Sequence, residues 1–326
     1  MHAIAVDVPG GPEQMRWNEV PDPIAAPGEV LIDITATAVN RADLLQRQGH
    51  YPPPPGASPI LGLECAGMIA GHGPGVSSPP LGTPIVALLS GGGYAQRVAV
   101  PVQQVMAVPS GVDLITAGAV AEVACTVWSN LAMTAHVQAE EWVLIHGGGS
   151  GVGTFAIQVA RAMGAHVAVT AGSAAKLDAC RELGADVCIN YKEQDFVEQV
   201  IDCTGGTGPD VILDNLGAAY LERNVTALAR NGRLVTIGLQ GGTKAELNIN
   251  TLLRKNASIT CTSLRGRPIS EKALICEQVQ QYVWPWIAAG IVRPVIDRVL
   301  PITDAALAHA LIAEGAITGK LGLAVA

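Results

Sequence analysis

Residues 140–176 read EEWVLIHGGGSGVGTFAIQVARAMGAHVAVTAGSAAK, and this stretch decides the fold. Trp142 to His146 is an apolar run of the length of a buried strand. Glycine-rich residues 147–152 follow. From Thr154 to Met163 the pattern turns helical, with Val152, Phe155, Ala156, Val159 and Met163 on one face at three- and four-residue spacing. Gly164 stops that helix, and His166 to Thr170 resumes as a second strand. Strand, glycine loop, helix, strand is the opening half of a dinucleotide-binding fold. The glycines let the backbone approach a pyrophosphate, and the helix N-terminus presents N–H groups with partial positive charge toward it.

Two details refine the reading. Set against G-x-G-x-x-G, positions 148–153 carry Gly148, Ser150 and Gly153, so serine replaces the middle glycine. A site for NAD would also place an Asp or Glu roughly 20 residues beyond the loop, on the ribose hydroxyls. Here Thr170 is followed by Ala-Gly-Ser-Ala-Ala-Lys176, with no acid. Ser173 stands where a helix N-cap belongs, and Lys176 falls in the first turn, where a cation opposes the helix dipole. The 2′-phosphate of NADPH would compensate that lysine; a solvated surface lysine after an ordinary cap is the alternative.

Downstream, the pattern continues as helix 174–183, strand 187–190, helix 193–202, strand 210–214, helix 219–229, strand 233–238, a short helix near 250–255 and strand 258–262. Six strands alternating with helices are the count of a complete doubly wound parallel sheet. Gly217 and Gly238 stand at or beyond the carboxyl ends of the fourth and fifth strands, the edge where such sheets bind ligands. Residues 1–120 read differently, with short β-like runs at 3–7, 29–38, 67–71, 84–88 and 94–100 between Pro and Gly clusters. A short helix is predicted over 40–48, and a longer one from Thr116 to Met133. The four prolines at 52–55 exclude helix and central strand, leaving Tyr51 on a stiff loop. The tail, with helices at 270–289 and 303–313 and strands at 295–299 and 320–325, returns to the β-rich part. The predicted organisation is α/β: a mostly β domain in 1–120, a dinucleotide-binding domain in 121–264, and a return segment in 265–326.

Composition limits the function classes. A chain of 326 residues, 49% of them hydrophobic, can bury two cores, and its net charge of −8 argues against nucleic acid as a main partner. The seven cysteines are scattered and odd in number, without a C-x-x-C pair, which suits reduced thiols in a cytoplasmic protein. No signal peptide or membrane span is evident, so no membrane partner is expected.

With these residues placed, the chain resembles the medium-chain dehydrogenase/reductase superfamily, in its zinc-free quinone oxidoreductase (zeta-crystallin-like) branch, and most of all the inducible NADPH:quinone oxidoreductases. The resemblance spans nearly the whole length. It rests on AVNRAD at 38–43, GHY at 49–51, LGLECAG at 61–67, GGGYA at 91–95, HGGGSGVG at 146–153, NYK at 190–192 and Gly319-Lys320. It implies a GroES-like catalytic domain, a Rossmann domain that binds NADPH, and a homodimer. By position, Gly149, Ser150, Gly151 and Val152 would line the pyrophosphate, and Ser173, Lys176 and Tyr191 the 2′-phosphate. Asn215, Gly217, Gly238, Leu264, Arg265 and Lys320 would border the nicotinamide half or the ribose, with Asn40 and Thr126 facing the nicotinamide. Zinc-dependent relatives carry a cysteine where Asn40 stands and a histidine where Leu63 stands, so no metal is expected. Without a Lewis acid, acceptors that take a hydride readily are favoured: a quinone, or an enone. Asn40 and Tyr51 are the candidate catalytic contacts to that acceptor, with packing of the proline loop as the alternative role for Tyr51. A low-turnover NADPH-binding protein is the rival reading from another class.

Overall fold

A computed structural model describes residues 1–325. In chain order, the first stretch holds β1 (His2–Val6), β2 (Met15–Glu19), β3 (Glu29–Val39), α1 (Arg41–Arg47), β4 (Glu64–His72), β5 (Pro84–Leu88), β6 (Arg97–Pro101), β7 (Val105–Ala107), α2 (Leu114–Ala117) and α3 (Ala121–Trp128). The middle holds β8 (Trp142–His146), α4 (Gly151–Ala162), β9 (His166–Ala171), α5 (Ala174–Glu182), β10 (Val187–Asn190), α6 (Phe196–Cys203), β11 (Val211–Asp214), α7 (Leu221–Ala227), β12 (Arg233–Thr236), α8 (Ile249–Lys255) and β13 (Ser258–Cys261). The tail adds α9 (Ile269–Gln278), α10 (Trp284–Ala288), β14 (Ile296–Pro301), α11 (Ala305–Ala313) and β15 (Lys320–Ala324). Among the described residues, no helix is long and apolar enough to cross a membrane.

The chain divides into two compact units. One comprises Met1–Cys125, Leu264–Gly290 and the residues from Pro294 on; the other comprises Thr126–Ser263 with Ile291–Arg293. The last three residues depart from the expected return segment for a visible reason. The Gln158 side-chain amide donates to the Arg293 carbonyl (2.9 Å) and accepts from the Arg293 N–H (2.9 Å), while Val292 is fully buried. The middle unit is a six-stranded parallel sheet ordered β10-β9-β8-β11-β12-β13. The order reverses between β8 and β11, which is the switch point of a doubly wound sheet. Its strands are near-continuous apolar runs because helices cover both faces; Leu144, Ala168, Ile212 and Leu234 sit fully buried in one cluster. Each buried leucine or isoleucine there contributes on the order of 1.5–3 kcal/mol.

The other unit is built on a seven-stranded sheet ordered β14-β15-β3-β4-β5-β7, with β6 pairing β3 and β1–β2 forming a separate ribbon. Strands β2 and β7 were not expected from sequence: β2 (MRWNE) is largely exposed, and β7 is only three residues long. The helix expected over 116–133 is broken in two. Gly118 ends α2 against β3, where a Cβ would come within 2.7 Å of the Ala36 side chain. After α3, residues Ser129–Thr134 form a wider π-type turn. The helix expected over 270–289 likewise splits at a π-type turn, Val279–Val283, ahead of Pro285, which lacks an N–H.

Candidate functional site

In the parallel-sheet unit, α4 begins at Gly151, three residues earlier than the apolar periodicity predicts. Ser150 is its N-cap, with extended backbone and Oγ accepting from the Gly153 N–H at 3.0 Å. The serine that replaces the middle glycine therefore caps the helix facing the loop. The amides of Gly151 and Val152 fall in the first turn, where N–H groups have no intrahelical partner. Gly153 is required by packing: a Cβ there would meet the Gly147 carbonyl at 2.3 Å.

The 2′-phosphate candidates gather beside this loop. Ser173 caps α5, accepting from the Lys176 N–H at 3.4 Å. The Lys176 stem lies over Gly149, where a Cβ would sit 2.9 Å from its Cγ and Cδ. Tyr191 closes over Gly172, where a Cβ would meet its hydroxyl at 2.6 Å and the Lys192 Cε at 3.1 Å. Lys192, not among the expected residues, joins Lys176 as a second cation here. Across the switch point, Asp214 accepts from Leu216 N–H and Gly217 N–H, both at 2.9 Å, and burial raises its pKa. Asn215 packs against Gly147 and Gly238, and its Oδ1 is buried without a partner among the described residues. An orphaned acceptor beside a glycine loop, with backbone surfaces kept bare of Cβ atoms, is what a nucleotide would complete. Thr126, nearly buried, has its carbonyl engaged by Ser129 and Asn130.

The seven-stranded unit holds a different kind of site. Leu321 of β15 pairs with Val39 of β3, so the register sets Lys320 beside Asn40. Lys320 Nζ donates to Asn40 Oδ1 (2.6 Å) and to Glu64 Oε1 (2.7 Å), and Asn40 Nδ2 donates to the same Glu64 oxygen (2.9 Å). Glu64 Oε2 accepts from the Glu122 N–H at 3.0 Å, and Glu64 is fully buried. Lys320 is thus placed in a buried ion pair that fixes the Asn40 amide. Asp43 closes a capping box at α1, accepting from Asn40 N–H (2.8 Å) and from Gly62 N–H (2.9 Å). Burial pushes its pKa up to about 6. Behind it, Tyr94 approaches Asp43 at 3.5 Å and His309 Nε2 at 3.1 Å, and Arg47 reaches His309 Nδ1 at 3.5 Å. Burial holds His309 down to about 3.

Tyr51 sits half-buried on the proline loop, and Arg265 holds that loop. The Arg265 guanidinium donates to the carbonyls of Ser90 (2.8 Å) and Tyr51 (3.3 Å) and to Gln46 Oε1 (2.7 Å), and lies 5.4 Å from the centre of the Tyr51 ring. Leu264, its neighbour, is half-buried. Sequence reasoning missed Glu64 and Asp43 as site residues, although both left signals: an acid inside the apolar run LGLECAG, and the N-x-x-D spacing of a capping box.

Comparison with known proteins finds two families that match parts of the chain. Residues 26–110 match the alcohol dehydrogenase GroES-like domain, and residues 151–280 match the zinc-binding dehydrogenase family. The chain is 32% identical over 325 residues to the quinone oxidoreductase of Sus scrofa, covering 98% of this chain and 97% of that one. It is 29% identical over 317 residues to a 2-haloacrylate reductase of a Burkholderia species, covering 94% of each. The Escherichia coli quinone oxidoreductase solved in complex with NADPH superimposes with a TM-score of 0.88 at 27% identity, covering 99% of this chain and 100% of that one. Against larger relatives such as the mycocerosic acid synthase-like polyketide synthase of Mycobacterium tuberculosis, the chain spans 15% of the length at 29% identity. The zinc named in the second family's description does not fit the residues here. Asn40 and Leu63 offer no thiolate or imidazole, Glu64 is already bound to Lys320, and among the described residues no three His, Cys, Asp or Glu are grouped to hold a metal.

Proposed function

The chain belongs to the medium-chain dehydrogenase/reductase superfamily, and from that premise we propose that it transfers a hydride from NADPH to a quinone without a metal. The observation that carries the cofactor half is the glycine-loop site: a serine-capped helix, the orphaned Asn215 Oδ1, and Lys176 with Tyr191 gathered after β9 where no acid stands. Bound there, NADPH supplies the hydride. Ser150, Gly151 and Val152 would receive the pyrophosphate, and Ser173, Lys176, Tyr191 and Lys192 the 2′-phosphate. A carboxylate in that corner would repel the phosphate, and two lysines attract it.

The acceptor half rests on Asn40 and Tyr51. With Oδ1 held by Lys320 and one N–H held by Glu64, the Asn40 amide has a fixed plane and a second N–H left to offer. An ammonium on its oxygen strengthens that remaining donor, which would hydrogen-bond the acceptor oxygen as it gains charge. Tyr51, held from behind by Arg265, would make the second contact, and solvent can protonate the hydroquinone oxyanion. Reduction of an enone or acrylate-type alkene is the second reading, favoured by the likeness to the 2-haloacrylate reductase. NADPH oxidation across matched quinones and enones separates the two. Faster turnover of quinones, undiminished after prolonged chelation, is expected. Turnover confined to enones would overturn the quinone assignment, and loss of activity on chelation would overturn metal independence.

Tyr51→Phe should slow hydride transfer about five- to thirtyfold, for a lost hydrogen bond of roughly 1–2 kcal/mol, with NADPH affinity unchanged. A transfer rate equal to the unmodified protein's would make Tyr51 a packing residue.

A further inference from the structure

Lys320 is answered by Glu64 at 2.7 Å and the partly buried Arg233 by Glu141 at 2.6 Å, whereas the buried Arg47 meets the neutral His309 ring at 3.5 Å and no carboxylate among the described residues. Arg265 and Lys272 also touch no carboxylate, and these two cations share one corner. Each is only 5% exposed, and among the described residues every oxygen they touch is neutral. Lys272 Nζ donates to Ser90 Oγ (2.7 Å) and the Arg265 carbonyl (3.4 Å); Arg265 donates to the Ser90 and Tyr51 carbonyls and to Gln46 Oε1. The two cations therefore share Ser90, one on its hydroxyl and one on its carbonyl. These bonds use two of the three ammonium hydrogens and three of the five guanidinium hydrogens.

Like charges in a shared buried corner raise each other's cost, and neutral acceptors only partly offset the desolvation of a cation. Burial lowers the pKa of both groups; at Lys272 the nearby Cys276 opposes this and Arg265 adds to it, while at Arg265 Tyr51 and the more distant Asp43 oppose it. An anion set against their remaining hydrogens would remove the imbalance. The corner also lies directly behind Tyr51, whose ring the Arg265 guanidinium faces at 5.4 Å. We propose that Lys272 and Arg265 form a subsite for an anionic substituent, a carboxylate or a sulfonate, carried by the acceptor whose reducible end meets Tyr51. This rests on the acceptor reading above and adds to it a preference for acidic acceptors. Arg265 has a second duty, holding the Tyr51 loop, so Lys272 is the residue through which the subsite can be tested by itself.

The test compares 1,4-naphthoquinone with 1,4-naphthoquinone-2-sulfonate on the full-length protein with NADPH. Because the sulfonate also makes the ring more electrophilic, the change on substitution carries the result. Lys272→Gln should raise the KM for the sulfonate about tenfold or more while leaving the KM for the neutral quinone nearly unchanged, and Lys272→Arg should retain the preference. Equal changes for both quinones in Lys272→Gln would overturn the subsite. A second measurement needs neither turnover nor a variant: the unmodified protein should bind naphthalene-2-sulfonate at least tenfold more tightly than the neutral naphthalene-2-sulfonamide. Equal binding would overturn the subsite even if Lys272→Gln fails to fold. Failure to oxidise NADPH with either quinone would instead count against the quinone reading, and the sulfonate binding would still decide the subsite.

Discussion

The two units build their candidate sites in opposite ways. In the parallel-sheet unit, Gly147 to Gly153 and Gly172 to Lys176 are short consecutive stretches, and their recognition chemistry is largely backbone: capped helix ends, bare glycine surfaces, and a few side chains at the rim. In the seven-stranded unit, Asn40, Glu64 and Lys320 meet from positions up to 280 residues apart, and their bonds to one another are between side chains, with the Glu122 N–H holding the second Glu64 oxygen. A backbone site tolerates exchange of one side chain, because helix dipole and amides remain. A buried side-chain site does not, because each member is the counter-charge or partner of another.

Substitutions should expose that difference. The largest effect is expected at Lys320. Lys320→Met leaves Glu64 buried without its cation, and a loss of about 3–5 kcal/mol in the unfolding free energy is expected from denaturant titration. The double variant Glu64→Gln with Lys320→Met should recover most of it. If Lys320→Met costs no more than an exposed lysine would, the pair is not the support of this site. At Lys176 the effect should fall on binding alone: Lys176→Ala should weaken NADPH by about 1.5–3 kcal/mol and leave NADH affinity and unfolding unchanged. Equal binding of NADPH and NADH by the unmodified protein would contradict the 2′-phosphate assignment.

How much of this was legible beforehand follows the same division. The glycine loop, its strand and its helix could be read from residues 140–176 because local periodicity and turn chemistry act over a few residues, and a six-stranded doubly wound parallel sheet, though not its strand order, then followed from alternation. Asn40, Tyr51 and Arg265 were reached by resemblance, yet what Arg265 and Lys320 touch was not. Lys320 meets Glu64 only because Leu321 falls in register with Val39, a long-range pairing that no local pattern encodes. Lys272 left no signal at all: a lysine in the first turn of an ordinary helix is indistinguishable in sequence from a solvated one. The π-type turns at Ser129–Thr134 and Val279–Val283 were missed because they keep the apolar pattern running, and the break at Gly118 because it is set by packing against Ala36 of β3.

A smaller effect concerns acid, and it touches both units. His146 is buried in the parallel-sheet unit, its Nε2–H donating to Asn224 Oδ1 at 2.7 Å and its Nδ1 3.0 Å from Thr170 Oγ1, and burial pushes its pKa down to about 4. His309 in the other unit is held down to about 3. Below pH of about 6.5 the unfolded chain takes up protons that these neutral rings refuse. Each histidine should therefore contribute a loss of stability of up to about 1.4 kcal/mol per pH unit as pH falls from about 6.5 toward its folded value. Asp43 works in the opposite direction: held up to about 6, it takes up its proton in the folded state first, and so offsets part of the loss between about pH 6 and 4. His146→Gln and His309→Gln should each flatten the pH dependence of the unfolding midpoint; an unchanged slope in both would mean that the buried rings titrate normally.

The central claim, hydride transfer from bound NADPH without a metal, is tested most directly by one anaerobic mixing experiment. Chelator-treated protein carrying one equivalent of NADPH is mixed with excess 1,4-naphthoquinone, and the absorbance of the reduced nicotinamide is followed through a single turnover. The expected result is complete oxidation of the bound cofactor in one phase, slowed severalfold when deuterium replaces the transferred hydrogen at the nicotinamide C4. Cofactor that stays bound and reduced in the presence of the quinone would contradict the account, and would make this chain a holder of NADPH rather than an enzyme that spends it.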